Sequence, residues 1–214
     1  RLLVSARTSG KAGDADGISL FLVDAGAAGV GLKTYRTQDS LRGAEVSLAG
    51  VSVDGQALIG TEGQGLAILE EALDFAGALL CAEAVGAMKY ACDTTLEYLK
   101  ARKQFGVNIG AFQALQHRMV DMCISTEQAR SITYLACAKV DGDTPPAERA
   151  RVLSAARVKV ADACRHVGQE AIQLHGGMGM TLEMKVSHTF KRLTMISQAF
   201  GDADYHLERF NRAA

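Results

Sequence analysis

The chain has 214 residues, a formal net charge of −1 and 48% apolar residues. That length is enough to bury a core without staples, in one or two domains. A near-balanced charge with no basic stripe and no interleaved aromatics argues against nucleic acid as a partner. No apolar run reaches membrane-spanning length and no signal peptide opens the chain, so a cytoplasmic protein is expected. The five cysteines, Cys81, Cys92, Cys123, Cys137 and Cys164, show no Cys-x-x-Cys or metal spacing and read as reduced, buried small apolar residues. The first residue is not Met and the chain starts inside the apolar run Leu2-Leu3-Val4, so a fragment of a longer polypeptide is expected.

Residues 1 to about 60 carry short apolar runs, Leu2 to Val4, Ile18 to Val23 and Ala44 to Leu48, separated by clusters of Gly, Asp and Ser. This punctuation predicts four or five antiparallel strands, with a hairpin loop between Arg7 and Ile18. From Thr61 the composition turns to Ala, Leu, Glu, Met and Arg, which is helix material. Apolar spacing predicts a first helix from Gly65 to about Arg102 and a second from near Phe112 to the Asp141–Pro146 stretch, which stops it. A third runs from about Ala147 to Leu174, a further segment from Leu182 to Phe200, and a last one from Asp202 to Phe210. The expected fold is therefore mainly α: an antiparallel four-helix bundle over residues 61–214, preceded by a partial antiparallel β-domain over residues 1–60.

Two stretches stand out chemically. The first is Gln173-Leu174-His175-Gly176-Gly177-Met178-Gly179-Met180, between two predicted helices. Its glycines are expected to expose backbone N–H groups at a helix start, where an anion such as phosphate docks. It is neither a Walker loop nor a dinucleotide fingerprint, and a tight turn is the simpler account. The second is Arg102-Lys103-Gln104-Phe105-Gly106, followed by Phe112-Gln113-Ala114-Leu115-Gln116. Cations beside a helix C-terminus complement its dipole, and an Arg is also the side chain best shaped to grip a diphosphate.

These motifs, in this order and separated by helices of matching length, resemble the acyl-CoA dehydrogenase family, and the resemblance covers the whole chain. It implies an FAD enzyme that desaturates an acyl-CoA thioester between its α and β carbons and passes electrons to an electron-transfer flavoprotein. It also implies an oligomer, a dimer or tetramer, in which bends of one subunit reach a neighbour's flavin. On that match Arg102 contacts the pyrophosphate, Gln104, Phe105, Phe112 and Gln113 line the cofactor, and Gln173, Leu174, Gly176 and Gly177 hold its adenosine-diphosphate part. The family's general base is usually a Glu before the last helix, where this chain has Gly201 in Phe200-Gly201-Asp202-Ala203. A minority place the Glu in the first helix, ahead of an Arg, where this chain has Ala76 and Gly77. Asp202 or Asp204 could substitute, or both could be acids that favour the start of a helix. Glu83 lies two turns beyond the usual place. The variant base stretch is similar to the small subunits of heteromeric bacterial members, such as those acting on pimeloyl-CoA. The alternative reading is accordingly a non-catalytic subunit that completes a partner's flavin site. The five histidines show no ligand spacing; His117 and His166 are expected at a surface or interface, His175 at a helix cap or flavin edge, and no metal is assigned.

Overall fold

The computed structural model describes residues 1–213. The chain forms two compact units, Arg1–Leu73 and Asp74–Ala214. In the first, β1 (Leu2–Arg7), β2 (Ile18–Val23) and β5 (Leu58–Ile59) make a three-stranded antiparallel sheet in the order β1-β2-β5. Alternation along β1 half-buries Leu2, Val4 and Ala6, while β2 buries Ser19, Leu20 and Val23. The Ser19 hydroxyl meets that of Thr8 and accepts from the Gly63 amide, each at 2.8 Å, which ties the strand to the loop before the first helix. A separate ribbon pairs β3 (Val30–Arg36) with β4 (Arg42–Leu48). Both strands of the ribbon are largely exposed, so β3 needs no apolar alternation and leaves little trace in the sequence.

The second unit is built from long helices. The first, α1 (Gly65–Ala101), buries Ala78, Cys81, Ala84, Met88, Ala91 and Leu99 at helical spacing. Then come α2 (Gln113–Asp141), α3 (Pro146–His175), α4 (Lys185–Ile196) and α5 (Ala203–Arg212). Pro146 stands at the first position of α3, where its missing N–H costs nothing. One apolar cluster joins α1 through α4, including Met88, Met122, Val160, Val167, Leu193 and Ile196, and small residues such as Ala84, Ala129 and Ala163 let the helices approach closely. The architecture is the expected antiparallel four-helix bundle with a small antiparallel β part.

Three expectations change. The fourth helix is shorter than Leu182 to Phe200: it runs from Lys185 to Ile196, a turn follows over residues 197–200, and the chain swings out of it through left-handed Phe200 (φ 57°) and Gly201 (φ 106°). Cys81, Cys92 and Cys164 are buried, but Cys137 is half-buried and Cys123 is exposed, on the flank of α2 rather than its core face. The glycines of the 176–180 stretch do not open a helix: they form a 3₁₀ turn that closes α3, and α4 begins only at Lys185.

Ion pairs lock the helices together. Glu83 receives two hydrogen bonds from Arg192, at 2.6 and 2.8 Å, joining α1 to α4. Asp74, 2% exposed, sits between Arg149 at 3.1 Å and Arg209 at 2.7 Å and joins α1 to α3 and α5.

Candidate functional site

The end of α1 and the start of α2 are linked by a small hairpin of β6 (Lys103–Gln104) and β7 (Val107–Asn108). Its two turn residues, Phe105 (φ 55°) and Gly106 (φ 79°), are both left-handed, the geometry whose twist matches that of the flanking strands. Gly106 adopts it freely, whereas Phe105 bears strain and is 90% exposed. The hairpin fixes Arg102 from both sides: the Arg102 amide donates to Tyr98 O at 2.8 Å and its carbonyl accepts from the Ile109 amide at 2.9 Å. Asn108 also donates to Lys100 O at 2.7 Å, satisfying a free carbonyl at the helix end. Beside it, Gly110 approaches so near to α1 that a Cβ there would lie 2.9 Å from Leu99 O.

At the end of α3 the backbone reverses through Gly176 (φ 59°), whose amide bonds Gln173 O. Gly179 is held by close approach, since a Cβ there would lie 2.6 Å from Ile172 O. Gly177 answers to neither demand: its φ is not positive, and an added Cβ would meet nothing within 4 Å. His175 is buried and accounts for one of its ring nitrogens, as Nδ1 donates to Ala171 O at 2.8 Å. The ring stacks on Tyr98 with centroids 4.4 Å apart, and Nε2 is buried without a partner. Burial pushes the imidazole's pKa below its usual value, which keeps it neutral.

The two bends open onto one cleft of about 480 Å³, lined by Arg102, Gln104, Gln173, Leu174, Gly176 and Gly177 together with Tyr98, Arg118 and His175. Tyr98 is one turn before Arg102 on the same helix face, a spacing that would have found it. Arg118 had no comparable signal, because its place depends on how α2 packs on α3. Phe105, Phe112 and Gln113 are not part of this lining; Phe105 and Phe112 form an edge-to-face pair 6.1 Å apart.

Electrostatics follow from the pairing. Glu170 takes up Arg118 through Nε at 2.5 Å and Nη2 at 3.0 Å, and these hydrogen bonds raise the pKa of the guanidinium further. The Arg102 side chain has no hydrogen bond or ion pair with any described residue. Because the glycines close a helix, the macrodipole there contributes roughly half a negative charge. A full positive charge on Arg102 outweighs it, so the cleft attracts anions through a side chain and not through a helix start.

Where the general base is expected, the structure holds a tight elbow. A Cβ on Gly201 would fall 2.2 Å from Tyr205 Cδ1. Asp202 caps α5 by accepting from the Tyr205 amide at 2.9 Å, and Asp204 is exposed in the first turn. Beneath them Arg157, 2% exposed, donates to Ile196 O at 3.0 Å, Ala199 O at 2.5 Å and His206 Nε2 at 3.4 Å. In α1, Ala76 supplies no carboxylate, and a Cβ on Gly77 would crowd Leu153 at 3.2 Å. Among the described residues there is no group of three or more His, Cys, Asp or Glu that could hold a metal ion, and no helix is long and apolar enough to cross a membrane.

Residues 63–214 match the acyl-CoA dehydrogenase C-terminal domain. The chain belongs to the acyl-CoA dehydrogenase family. It is 33% identical over 172 residues to the L-prolyl-[peptidyl-carrier protein] dehydrogenase of a Serratia species, a match that spans 78% of this chain and 44% of that protein. The solved FAD complex of PigA superposes on 98% of this chain and 55% of its own, with a TM-score of 0.90 and 28% identity. The ChsE4-ChsE5 complex from Mycobacterium tuberculosis superposes with a TM-score of 0.84 and 27% identity, covering 98% of this chain and 54% of that one. The chain thus spans about half the length of the acyl-CoA dehydrogenase relatives it matches.

Proposed function

We propose that this chain is the C-terminal part of an FAD-dependent acyl-CoA dehydrogenase and cradles the diphosphate end of the flavin. In this reading residues 1–60 are the later part of the family's middle β-domain and residues 61–214 its helical bundle domain. The observation that carries the proposal is the cleft shared by the unpaired Arg102 and the Gly176-Gly177 bend. The residues present fit such a group. A free guanidinium suits a diphosphate, the Gln104 and Gln173 amides offer both donors and acceptors, and the bare Gly177 backbone leaves room for close approach. Phe105, Phe112 and Gln113, just outside the cleft, are left for the part of the cofactor or neighbouring subunit that extends beyond it.

Bound flavin would supply the hydride acceptor for α,β-desaturation of an acyl-CoA thioester, with an electron-transfer flavoprotein as the onward electron acceptor. The chain's own residues hold and orient; a general base must come from elsewhere in the assembly or from Asp202 or Asp204. A second reading is favoured by a specific observation, the ring of Tyr205 in the space a side chain on Gly201 would need. In it the chain is a non-catalytic subunit that completes the flavin site of a partner in a heteromeric cytoplasmic dehydrogenase.

This part by itself is expected to be inactive and to lack FAD, so the test is to purify the intact parent with and without its neighbouring subunit, record flavin absorbance, and add a short acyl-CoA. Bleaching by the lone parent supports catalysis, whereas a colourless parent that becomes active with its neighbour supports the second reading. Absence of FAD in both preparations overturns both. Arg102→Ala is expected to lower FAD affinity roughly tenfold or more; unchanged occupancy would remove the diphosphate contact from the proposal.

A further inference from the structure

Arg118 is a charged cleft residue that none of the sequence motifs contain, and its geometry is more constrained than that of Arg102. Glu170 holds the fork through Nε and Nη2, and Glu170 itself is one turn before Leu174 on the helix that ends in the glycine bend. Both side chains are partly buried, at 38% and 21% exposure, so solvent screens the pair less than it would a surface pair. Arginine has five N–H donors. Two are bonded to Glu170, and Nη1 has no partner among the described residues.

We propose that Arg118 is a second anion contact of this cleft, pre-aligned by Glu170, and that a diphosphate ester is the ligand class that engages it together with Arg102. The inference rests on the nucleotide-cradling reading above and adds a division of labour to it. The Arg118–Glu170 pair is electrically neutral, so Arg118 contributes oriented donors and little net charge. Arg102, with no counter-ion, contributes the charge. The two arginines therefore respond differently to substitution: a lysine keeps the charge and loses the planar fork, and screening by salt acts mainly on the unpaired cation.

The experiment is calorimetric titration of the full chain with ADP and with adenosine, at low and high salt, alongside thermal melts. Arg118→Lys is expected to weaken ADP about tenfold, to leave adenosine unchanged and to preserve the salt dependence. Glu170→Gln is expected to weaken ADP and to steepen the salt dependence, because it unmasks the Arg118 charge and loosens its orientation. It serves as the test should Arg118→Lys fail to fold. Arg102→Ala is expected to flatten the salt dependence. If the wild-type chain binds no ADP, the nucleotide reading and this inference fall together. If Arg102→Ala weakens ADP while Arg118→Lys and Glu170→Gln do not, only this inference falls. Equal loss of ADP and adenosine in Arg118→Lys overturns it as well, since Arg118 would then merely shape the cleft.

Discussion

The cleft between the two bends and the elbow ahead of α5 are built from similar materials, arginine, histidine, glycine and an aromatic ring, yet they differ in what is left unused. At the cleft, Arg102 is unpaired, His175 Nε2 has no partner, and Gly177 leaves open space that the fold does not require. At the elbow, Arg157 is sealed against the Ile196 and Ala199 carbonyls and His206, Asp202 is committed to a cap, and Tyr205 fills the space above Gly201; a buried ring nitrogen without a partner among the described residues, His206 Nδ1, occurs here too, so the contrast lies in the free cation and the open backbone of the cleft. The exposed Arg102 guanidinium is solvated by water and free to exchange that water for an anion, whereas Arg157 is buried and already spent on carbonyls of its own chain. The difference teaches that the first region keeps a cation and backbone space uncommitted, as the proposed cradle requires, while the groups of the second hold the elbow's own shape.

The largest test of that contrast is Gly201→Glu. A left-handed φ and the Tyr205 ring both oppose a side chain, so a loss of about 3 kcal/mol is expected in urea unfolding. Adding Tyr205→Gly should recover part of it. A neutral Gly201→Glu would mean that the elbow is open after all.

A smaller effect comes from pH. Burial, with the nearby Arg157 and Arg209 charges, pushes the His206 pKa down to about 4 from an ordinary 6.5. The unfolded chain therefore binds a proton that the folded chain refuses over this interval. Stability from this group is complete above about pH 6.5 and is lost as the pH falls toward about 4, by on the order of 2–3 kcal/mol. Comparing urea midpoints of wild type and His206→Gln between these limits should show a flatter profile for the variant, and parallel profiles would count against a sealed elbow.

The smallest effect on stability is expected where the contrast is sharpest in function. Gly177→Ala adds a methyl group into open space at an ordinary φ, so unfolding should shift by less than about 0.5 kcal/mol. ADP titration should weaken nonetheless. If both stay unchanged, Gly177 is not at the ligand's edge.

The sequence by itself determined the helices to within a few residues, because apolar spacing, the Asp141–Pro146 break and the left-handed glycines act locally. It also carried the ordered motifs that placed Arg102, Gln104, Gln173 and Gly176 on one list. It did not reveal β3, whose exposed ribbon has no buried face to enforce a pattern. It left the glycine bend open between a helix start and a tight turn, and the structure shows the turn; a run of glycines between two helices does not say which of them it belongs to. Only the tertiary structure decided that both bends share a cleft, that Arg118 and Tyr98 complete it, and that Tyr205 stands over Gly201. These are contacts between residues far apart in the chain or across a turn, and no local periodicity encodes them; packing of α1, α2 and α3 around one apolar cluster brings them within reach.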